Sequence, residues 1–474
     1  MEIMTGHSEA RQRVVEQYDA IPPGAPVRLA KRTSNLFRPR ATPSGATPGL
    51  DVSGLDRVLS IDPVARTADV QAMTTYEHLL DATLAHGLMP LVVPQLKTIT
   101  LGGAVTGLGI ESSSFRNGLP HESVLEMEIL TGEGRVVVAT PDGPHADLFH
   151  AFPNSYGTLG YALRLVIELE PVHELVALRH VRFHDLHDVV RAVDDIVGTR
   201  AYDGAQVDFL DATVFAADEV YLTLGSWADR LPTGVPAPSD YTGEHVYYRS
   251  IRSRGTDHLT VRDYLWRWDT DWFWCSRAFG AQNPRVRRLW PKRLLRSDVY
   301  WRLVRWENRF HLAARIEARR GLPPRERVVQ DVEIPLSRTA DFLAWFLCEV
   351  PIEPVWLCPL RLRDTSTDGR QQDGDGVTGP PWPFYPLRRG ETYVNIGFWS
   401  TVAIAPGAAD GDVNRAIEAV VTEHGGHKSL YSDAYYSPEE FRSLYGGPDY
   451  ELVKKRHDPQ GRLLDLYAKA VHGR

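Results

Sequence analysis

Cysteine, lysine and long apolar runs are all scarce in this chain of 474 residues. The three cysteines, Cys275, Cys348 and Cys358, form no Cys-x-x-Cys pair. So few cysteines predict neither a disulfide framework nor a zinc site, and we expect no metal centre. Their small number is typical of a protein from the reducing cytoplasm.

An excess of positive charge is also missing. The 53 lysines and arginines are outnumbered by 61 acidic residues, which gives a formal net charge of −8. General nucleic-acid binding needs a basic surface and is therefore excluded. No apolar run reaches about 18 residues, the length that a membrane-spanning helix needs, and the start of the chain lacks a signal-peptide pattern. We expect a cytoplasmic protein.

What is present is the composition of an ordinary globular protein, with 43% hydrophobic and 24% charged residues. The length allows two or three lobes. Only seven of the 53 cationic residues are lysines, an arginine bias common in proteins from GC-rich genomes such as those of actinobacteria.

The first 175 residues alternate short strands with helices. Residues 58–61 and 67–70 predict one hairpin, and residues 125–130 and 136–139 predict a second. Between them, residues 74–77 form a capping-box pattern that predicts a helix start. Residues 163–169 predict a further strand. The pattern indicates an α+β fold built from hairpins rather than from βαβ units.

The segment from 98 to 118 is rich in glycine and small hydroxyl residues. Such a run lets the backbone approach a planar ring or a pyrophosphate closely. The spacing and context of a Rossmann GxGxxG fingerprint are not met. Taken alone, the run is a weak signal that an ordinary loop or helix start also explains.

The order of the segments is more specific. A basic and hydroxyl-bearing loop at 31–35 precedes the first hairpin, the helix, the glycine-rich run and the second hairpin, and a Gly-Thr-Leu-Gly turn at 157–160 follows. This order resembles the FAD-binding domain of the para-cresol methylhydroxylase and vanillyl-alcohol oxidase class. The resemblance implies a two-lobed FAD-binding domain at 1–175 and an α+β substrate (cap) domain at 176–400. It also implies a C-terminal segment at 401–474 that packs back near the flavin. Within the substrate domain, residues 364–381 are polar, rich in glycine and aspartate and without periodicity, which predicts a mobile loop.

The resemblance also implies which residues bind FAD. They are Lys31, Arg32, Thr33, Ser34 and Asn35 of the first loop; Leu101, Gly102, Gly103, Thr106, Gly107, Gly109, Ile110, Glu111, Ser112, Ser113 and Gly118 of the run; and Gly157, Thr158 and Gly160 of the turn. Many members of the class tether FAD to a histidine in the first loop. Because no histidine stands at 31–35, we expect non-covalent FAD.

Four further stretches narrow the family. The phrase GIESSS at 109–114, VVQD at 328–331, WLCP at 356–359 and LYSDAY at 430–435 with EEF at 439–441 resemble the 24-dehydrocholesterol reductase family, the sterol Δ24-reductases. The resemblance covers roughly residues 25 to 470. It implies an alkene reductase acting on the CH–CH group of a lipid, with NADPH as the reductant.

Two lipid substrates remain open. An actinobacterial relative of this family reduces 10-methylene to 10-methyl acyl chains in tuberculostearic acid synthesis, and the arginine bias favours that substrate. A sterol Δ24 or other isoprenoid side-chain bond is the alternative. An alcohol or sugar oxidase, or a flavin-binding partner without turnover, is a further alternative.

Reduction of an isolated alkene needs a positioned acid, because no carbonyl activates the double bond. The candidates lie in the shared stretches: Asp433, Tyr431 and Tyr435, then Asp331. The two tyrosines are four residues apart and could instead be one packed helical face.

The stretch from 261 to 310 holds seven of the twelve tryptophans and many arginines. It predicts either contact with a membrane surface, where such residues are favoured, or an ordinary core with paired arginines. Expected partners are thus a lipid substrate, the inner face of the membrane and a methyltransferase that supplies the methylene lipid.

Overall fold

The computed structural model describes residues 2–31, 37, 49–235, 237–243, 245–310, 315, 319, 321–363 and 381–472. The first-loop residues Arg32, Thr33, Ser34 and Asn35 lie outside this part of the chain, as does nearly all of the predicted loop at 364–381.

The strands and helices follow in chain order. The strands are β1 Leu29–Ala30, β2 Leu50–Asp51, β3 Val58–Asp62, β4 Thr67–Gln71, β5 Leu88–Pro90, β6 Val124–Leu130, β7 Val136–Ala139, β8 Tyr161–Pro171, β9 Leu175–Phe183, β10 Ala201–Tyr202, β11 Ala205–Gln206, β12 Phe209–Ala216, β13 Glu219–Ala228, β14 Thr256–Thr260, β15 Arg325–Pro335, β16 Val355–Arg361, β17 Thr392–Ala403 and β18 His427–Lys428. The α-helices are α1 Glu2–Asp19, α2 Tyr76–Leu84, α3 Leu101–Thr106, α4 Ser114–Asn117, α5 Ala146–Ala151, α6 Leu186–Thr199, α7 Tyr247–Ser250, α8 Val261–Leu265, α9 Pro284–Leu289, α10 Ser297–Phe310, α11 Leu336–Glu349, α12 Asp412–Glu423, α13 Pro438–Leu444, α14 Gly447–His457 and α15 Leu466–Ala470.

The predicted hairpins form the first sheet. In the described part of the chain its strands lie in the order β3-β4-β8-β6-β7, with β5 also paired to β8, and the pairs are antiparallel. The first hairpin turns at Asp62, whose carboxylate accepts the amides of Val64 and Ala65 at 2.9 Å. Helix α2 begins after Thr75, whose hydroxyl accepts the His78 amide at 3.3 Å. The predicted α+β class, built from hairpins, is confirmed.

The second sheet carries strands from a much longer stretch of sequence. The described strands follow the order β14-β9-β13-β12-β16-β17-β15-β18, and every pair is antiparallel. One face is apolar and packs in a single core cluster with α6, α11 and α12. On β15 this face presents Val328, Val332 and Ile334, each fully buried. Strand side chains alternate between faces, so the intervening residues of β15 point to the other side.

The other face of this sheet is polar and aromatic. It includes Val329, Asp331 and Glu333 of β15 and, in register beside them, Trp399, Gly397 and Asn395 of β17. Asp211 of β12 lies on this face and accepts Arg267 at 2.9 Å, and Arg267 also donates to Glu111 of the glycine-rich run at 2.8 Å. The amide of Leu210 in β12 donates to the Ser112 carbonyl at 2.8 Å. The polar face therefore looks toward the glycine-rich run.

The domain boundaries proposed from the sequence remain predictions. The boundary at 175 falls at the start of β9, which opens the second sheet. The C-terminal segment contributes β18 to that sheet and also reaches the first half of the chain. Lys454 donates to the Thr158 carbonyl at 2.7 Å, and Lys469 donates to the Tyr156 carbonyl at 2.5 Å.

The tryptophan-rich stretch begins in the core. Trp266, Trp268, Trp272 and Trp274 are at most 4% exposed. Arg287 is equally buried and forms an ion pair with Asp271 at 2.7 Å. For residues 266–274 the core interpretation therefore describes the structure, whereas the end of the stretch is exposed. Among the described residues, no helix is both long and apolar enough to cross a membrane.

Candidate active site

The glycine-rich run begins with a tightly packed short helix. Thr100 precedes α3 and its hydroxyl accepts the Gly103 amide at 3.2 Å. The Gly102 amide donates to the Ala72 carbonyl at 2.8 Å. A Cβ atom at Gly102 would lie 2.8 Å from the Ala72 side chain, so only glycine allows this approach. The first amides of α3 are thus used within the protein and are not free to hold a pyrophosphate.

Lys31 places a cation at the same point. Its ammonium donates to the Thr100 hydroxyl at 2.9 Å, and a Cβ atom at Gly103 would lie 3.3 Å from it. The other described flank of the first loop, Phe37, donates its amide to the Tyr431 carbonyl at 2.9 Å. The two flanks of the predicted FAD loop therefore lie at the glycine-rich run and at a predicted catalytic tyrosine.

Several buried polar groups near the glycine-rich run have no partner among the described residues and could bind FAD. The Gly109 and Ile110 amides are buried and donate to no described residue, although the Ile110 carbonyl accepts from Gln95. The Thr74 hydroxyl and the Asn154 side-chain oxygen are buried and also lack a partner within the described ranges. Buried groups of this kind are costly unless something satisfies them. The region therefore fits a polar cofactor bound along the run.

Tyr156 joins the run to the following turn. Its amide donates to the Thr106 carbonyl at 2.8 Å, and a Cβ atom at Gly107 would lie 3.2 Å from its ring. Gly157 comes next, with φ at +76°. Thr158 is occupied internally, because its hydroxyl donates to the Ser155 carbonyl at 2.8 Å. Of the predicted turn residues, Gly157 is thus next to the run, while Gly160 packs on β6.

The second half of the run connects the two sheets. The Glu111 carboxylate accepts the Ser112 amide at 2.8 Å and the Arg267 guanidinium at 2.8 Å. Arg267 also donates to Asp211 of β12 at 2.9 Å, and its side chain has no exposed surface. The side chains of Glu111 and Ser112 are therefore buried at the interface between the two sheets, and their contacts with FAD remain predictions.

Ser113 and Gly118 are structural in the same way. The Ser113 hydroxyl donates to the Leu91 carbonyl at 3.0 Å. Gly118 has φ at +67° and lies against the Glu122 carboxylate. Leu101 is buried in the core of the first sheet. The direct contacts that the resemblance assigns to these residues remain predictions.

Asp331 is the buried acid of the polar face. It lies opposite Gly397, where a Cβ atom would clash with its Oδ1. Asn395 donates to the same oxygen at 3.2 Å. Burial raises the pKa of Asp331 to about 7, while hydrogen bonds from Asn395 and Tyr431 oppose the rise. The carboxyl therefore carries a proton in a substantial fraction of molecules at neutral pH and can both donate and recover it.

Tyr431 extends the site toward an aromatic wall. The Trp399 indole donates to its hydroxyl at 3.0 Å, and the Phe37 ring lies edge-on at 5.9 Å between centroids. Phe37 in turn packs on Trp301 at 4.6 Å. Burial raises the pKa of Tyr431 well above its usual value. The phenol is therefore neutral, and its proximity to Asp331 lowers the pKa of that carboxyl.

A second acid, Glu333, was not predicted from the sequence. It follows Asp331 by two positions on the same face of β15 and accepts the Ser429 hydroxyl at 2.6 Å and the Tyr385 hydroxyl at 3.2 Å. Burial raises its pKa well above the usual value, and the nearby Asp331 carboxylate adds to the rise. His427 Nε2 lies 3.4 Å from its other oxygen. Its spacing from Asp331 in a strand pattern was the signal that could have revealed it.

Asp433 and Tyr435 lie apart from this cluster. Asp433 forms an ion pair with Arg327 at 2.6 Å that is partly exposed on both sides. Tyr435 packs against the Arg415 guanidinium, 5.4 Å from the ring centre, and burial raises its pKa to about 12. Residues 433–437 are irregular rather than helical, so the alternative of one packed helical face does not apply. Of the four predicted acids, the structure brings together Asp331 and Tyr431.

His121 is a buried structural residue. Its ring packs edge-on against Trp382 at 4.6 Å, and burial lowers its pKa to about 3.

Comparison with known proteins defines the class. Residues 19–140 match the family model for an FAD binding domain, and this segment contains Lys31 and the entire glycine-rich run. The chain is therefore a flavoprotein with an FAD-binding domain of the para-cresol methylhydroxylase type.

Reductases are among the proteins that match most of this chain. The chain is 26% identical over 451 residues to the Delta(24)-sterol reductase of Arabidopsis thaliana, covering 90% of this chain and 77% of that protein. It is 25% identical over 423 residues to the Delta(24)-sterol reductase of Homo sapiens, covering 87% and 75%. A shorter match, 32% identical over 161 residues, is to the decaprenylphosphoryl-beta-D-ribose oxidase of Mycolicibacterium smegmatis and covers 34% of this chain. The protein is an FAD-dependent oxidoreductase related to the Delta(24)-sterol reductases.

Proposed function

We propose that the protein reduces an isolated carbon–carbon double bond in a lipid, with NADPH as the source of electrons and Asp331 as the proton donor. The observation that carries the proposal is the Asp331 carboxyl, whose pKa of about 7 suits proton transfer at neutral pH. It lies on a sheet face turned toward the FAD-binding run. The names of the full-length relatives support alkene reduction.

The chemistry divides between cofactor and protein. FAD, when bound and reduced, supplies hydride. Asp331 supplies the proton to the less substituted carbon, which leaves positive charge on the more substituted one. Tyr431 and Asn395 hold the carboxyl in place and stabilise the carboxylate after transfer. This division suits any alkene whose protonation gives a tertiary centre.

The surroundings suit an apolar substrate. The Phe37 ring contacts three other aromatic rings. The distances between ring centroids are 5.5 Å to Trp272, 4.6 Å to Trp301 and 5.9 Å to Tyr431. On the other side, Trp399 stacks on Phe273 at 4.2 Å between centroids. Aromatic walls exclude water, which would otherwise compete for a cationic centre.

Two substrates follow from this proposal. A sterol or isoprenoid side chain with a Δ24-type bond is supported by the relatives. A 10-methylene acyl chain is chemically equivalent, because protonation of its methylene carbon also gives a tertiary centre. It is supported by the arginine-rich composition. A methyltransferase that makes methylene lipids would be the functional partner in the second case.

The experiment uses purified protein with FAD bound. Under nitrogen, NADPH should bleach the flavin, and each lipid is then offered separately. A product two mass units heavier than one of the lipids supports alkene reduction and identifies the substrate. Bleaching without a product from either lipid would contradict both assignments, and absence of bleaching would contradict NADPH.

An alcohol or sugar oxidase is the second candidate, because of the shorter match to a ribose oxidase. Bleaching of the flavin by a polyprenyl-phosphate sugar, followed by oxygen consumption, would favour that function over reduction.

A further inference from the structure

The end of the tryptophan-rich stretch forms an exposed surface with an unusual charge. Residues 285–306 contain eight cationic side chains and one carboxylate, Asp298, in a chain whose net charge is −8. Half of these cations are paired with acids: Arg287, Lys292, Arg296 and Arg302. Arg285, Arg288, Arg293 and Arg305 are exposed, and the described residues give them no acidic partner.

Large apolar side chains are exposed among these arginines. Leu289 is 85% exposed and Trp306 is 57% exposed, and Val286, Leu294 and Leu303 are each exposed by more than a third. In a protein without a partner, such side chains are normally scattered singly. Here five of them alternate with unpaired cations over 21 positions. We call residues 285–306 the arginine–tryptophan surface.

The helices that bear this surface are anchored on the inside. Tyr300 of α10 is fully buried, and Trp301 and Val304 pack on the same small cluster, as does Trp290 at the end of α9. Arg302, Arg305 and Trp306 project outward because they lie on the opposite side of the α10 turn. The exposed side chains therefore sit on a fixed support and are not the ends of loose loops.

The inner side of α10 also reaches the candidate active site. Trp301 contacts Phe37, and Phe37 contacts Tyr431. Tyr431 is close enough to Asp331 to lower the pKa of its carboxyl. A molecule bound at the outer face of α10 is thus linked to the proton donor through the helix and three successive aromatic side chains, Trp301, Phe37 and Tyr431.

We propose that the arginine–tryptophan surface docks on an anionic lipid bilayer. Unpaired arginines attract phosphate headgroups, and a tryptophan among leucines enters the interface between headgroups and acyl chains. The charge of this surface is opposite to that of the protein as a whole, so a neutral or cationic partner is disfavoured. Docking here would place the aromatic wall at the membrane, where a lipid substrate is found.

The test is co-sedimentation of the full-length, FAD-loaded protein with vesicles. Vesicles that contain phosphatidylglycerol should pull the protein down at low salt, and vesicles of phosphatidylcholine alone should not. The variant Arg285→Gln/Arg288→Gln/Arg293→Gln/Arg305→Gln should bind at least about 100-fold more weakly, since each cation near an anionic surface contributes about fivefold.

A matched variant separates this surface from overall charge. Arg57→Gln/Arg182→Gln/Arg230→Gln/Arg338→Gln removes the same charge from exposed arginines elsewhere and should bind as well as the unmodified protein. Leu289→Ser/Trp306→Ser should lose the part of binding that resists high salt. Equal loss in both arginine variants, or no sedimentation of the unmodified protein, would overturn the proposal. An acidic protein would then be the alternative partner of the arginine–tryptophan surface.

Discussion

The two faces of the second sheet are formed by the same strands but have different roles: one packs in an apolar core, and the other carries buried acids. On the helix side, β15 presents Val328, Val332 and Ile334 to an apolar core. On the opposite side, it presents Asp331 and Glu333, two buried acids whose pKa values are both raised by burial. Because side chains alternate along a strand, core residues and buried acids of β15 are neighbours in sequence but lie on opposite faces of the sheet.

The difference shows how the protein can tolerate buried acids. A buried carboxyl costs stability unless it is neutral or paired. The apolar face supplies the packing that holds β15 and β17 in register, and that register places Asn395 and Gly397 beside Asp331. Changes on one face should therefore affect stability, whereas changes on the other should affect turnover.

The largest effect is expected on the polar face. Asp331→Asn removes the proton donor and should lower kcat with the lipid alkene by about 10²–10⁴-fold, measured as product formed by mass spectrometry. Asp433→Asn is the matched control and should change kcat by less than about threefold, because that carboxylate is partly exposed and paired with Arg327. A larger effect of Asp433→Asn than of Asp331→Asn would reverse the assignment of the donor.

The interface between the two sheets comes next. Arg267→Met leaves the buried Glu111 and Asp211 carboxylates without their cation, and should lower the free energy of unfolding by about 3–5 kcal/mol. Arg252→Met breaks an exposed pair with Glu219 and should cost less than about 1 kcal/mol. Chemical denaturation of both variants measures the difference, and similar losses would show that burial of the Arg267 pair is unimportant.

The apolar face gives a stability effect without a chemical one. Phe346 of α11 is fully buried and its ring lies 4.5 Å from that of Phe398. Phe346→Ala should cost about 3–5 kcal/mol of stability, seen as a lower Tm. The kcat of the folded fraction should stay within about twofold of the unmodified value. A drop in kcat as large as that of Asp331→Asn would mean that the two faces are not separable.

The smallest expected effect is a shift in pH dependence. Turnover should fall as pH rises through about 7, because Asp331 then loses its proton. The hydrogen bond from Tyr431 lowers this pKa, so Tyr431→Phe should move the alkaline limb of the kcat profile to higher pH. An unchanged limb would exclude Asp331 or Tyr431 from the step.

The same pKa has a consequence for stability. The folded protein binds the Asp331 proton more tightly than the unfolded chain does. The contribution of this residue to stability is therefore present at pH about 4 and declines as pH rises to about 7. The Asp331→Asn variant should lack that decline.

Local sequence patterns predicted much of the first sheet. Alternation and turn residues predicted both hairpins of the first sheet. The glycine-rich run predicted close approach of the backbone to a cofactor, whereas the close approach of Gly102 to Ala72 is visible only in the structure. Asp331 was among the predicted acids because it lies in a stretch resembling a known family. Its neighbour Glu333 could have been found by the two-residue spacing alone.

Other features depend on contacts between distant parts of the chain. Arg267 pairs with Glu111, 156 positions away, and neither local sequence predicts this pairing. Residues 433–437 are irregular and are held by distant contacts: Asp433 pairs with Arg327 of β15, and the Tyr435 amide donates to Glu418 of α12. These contacts override the helical spacing of Tyr431 and Tyr435. Burial likewise raises the pKa of Asp331 to about 7, whereas the partly exposed Asp433 forms an ion pair, although both are aspartates in shared stretches.

The alkene half-reaction tests the central claim most directly. The bound flavin is reduced under nitrogen with dithionite, which bypasses NADPH, and the lipid alkene is then added while the flavin absorbance is followed. We predict that the alkene reoxidises the flavin of the unmodified protein and of Asp433→Asn, whereas the flavin of Asp331→Asn stays reduced. Reoxidation of Asp331→Asn at the unmodified rate would contradict the assignment of Asp331 as the proton donor.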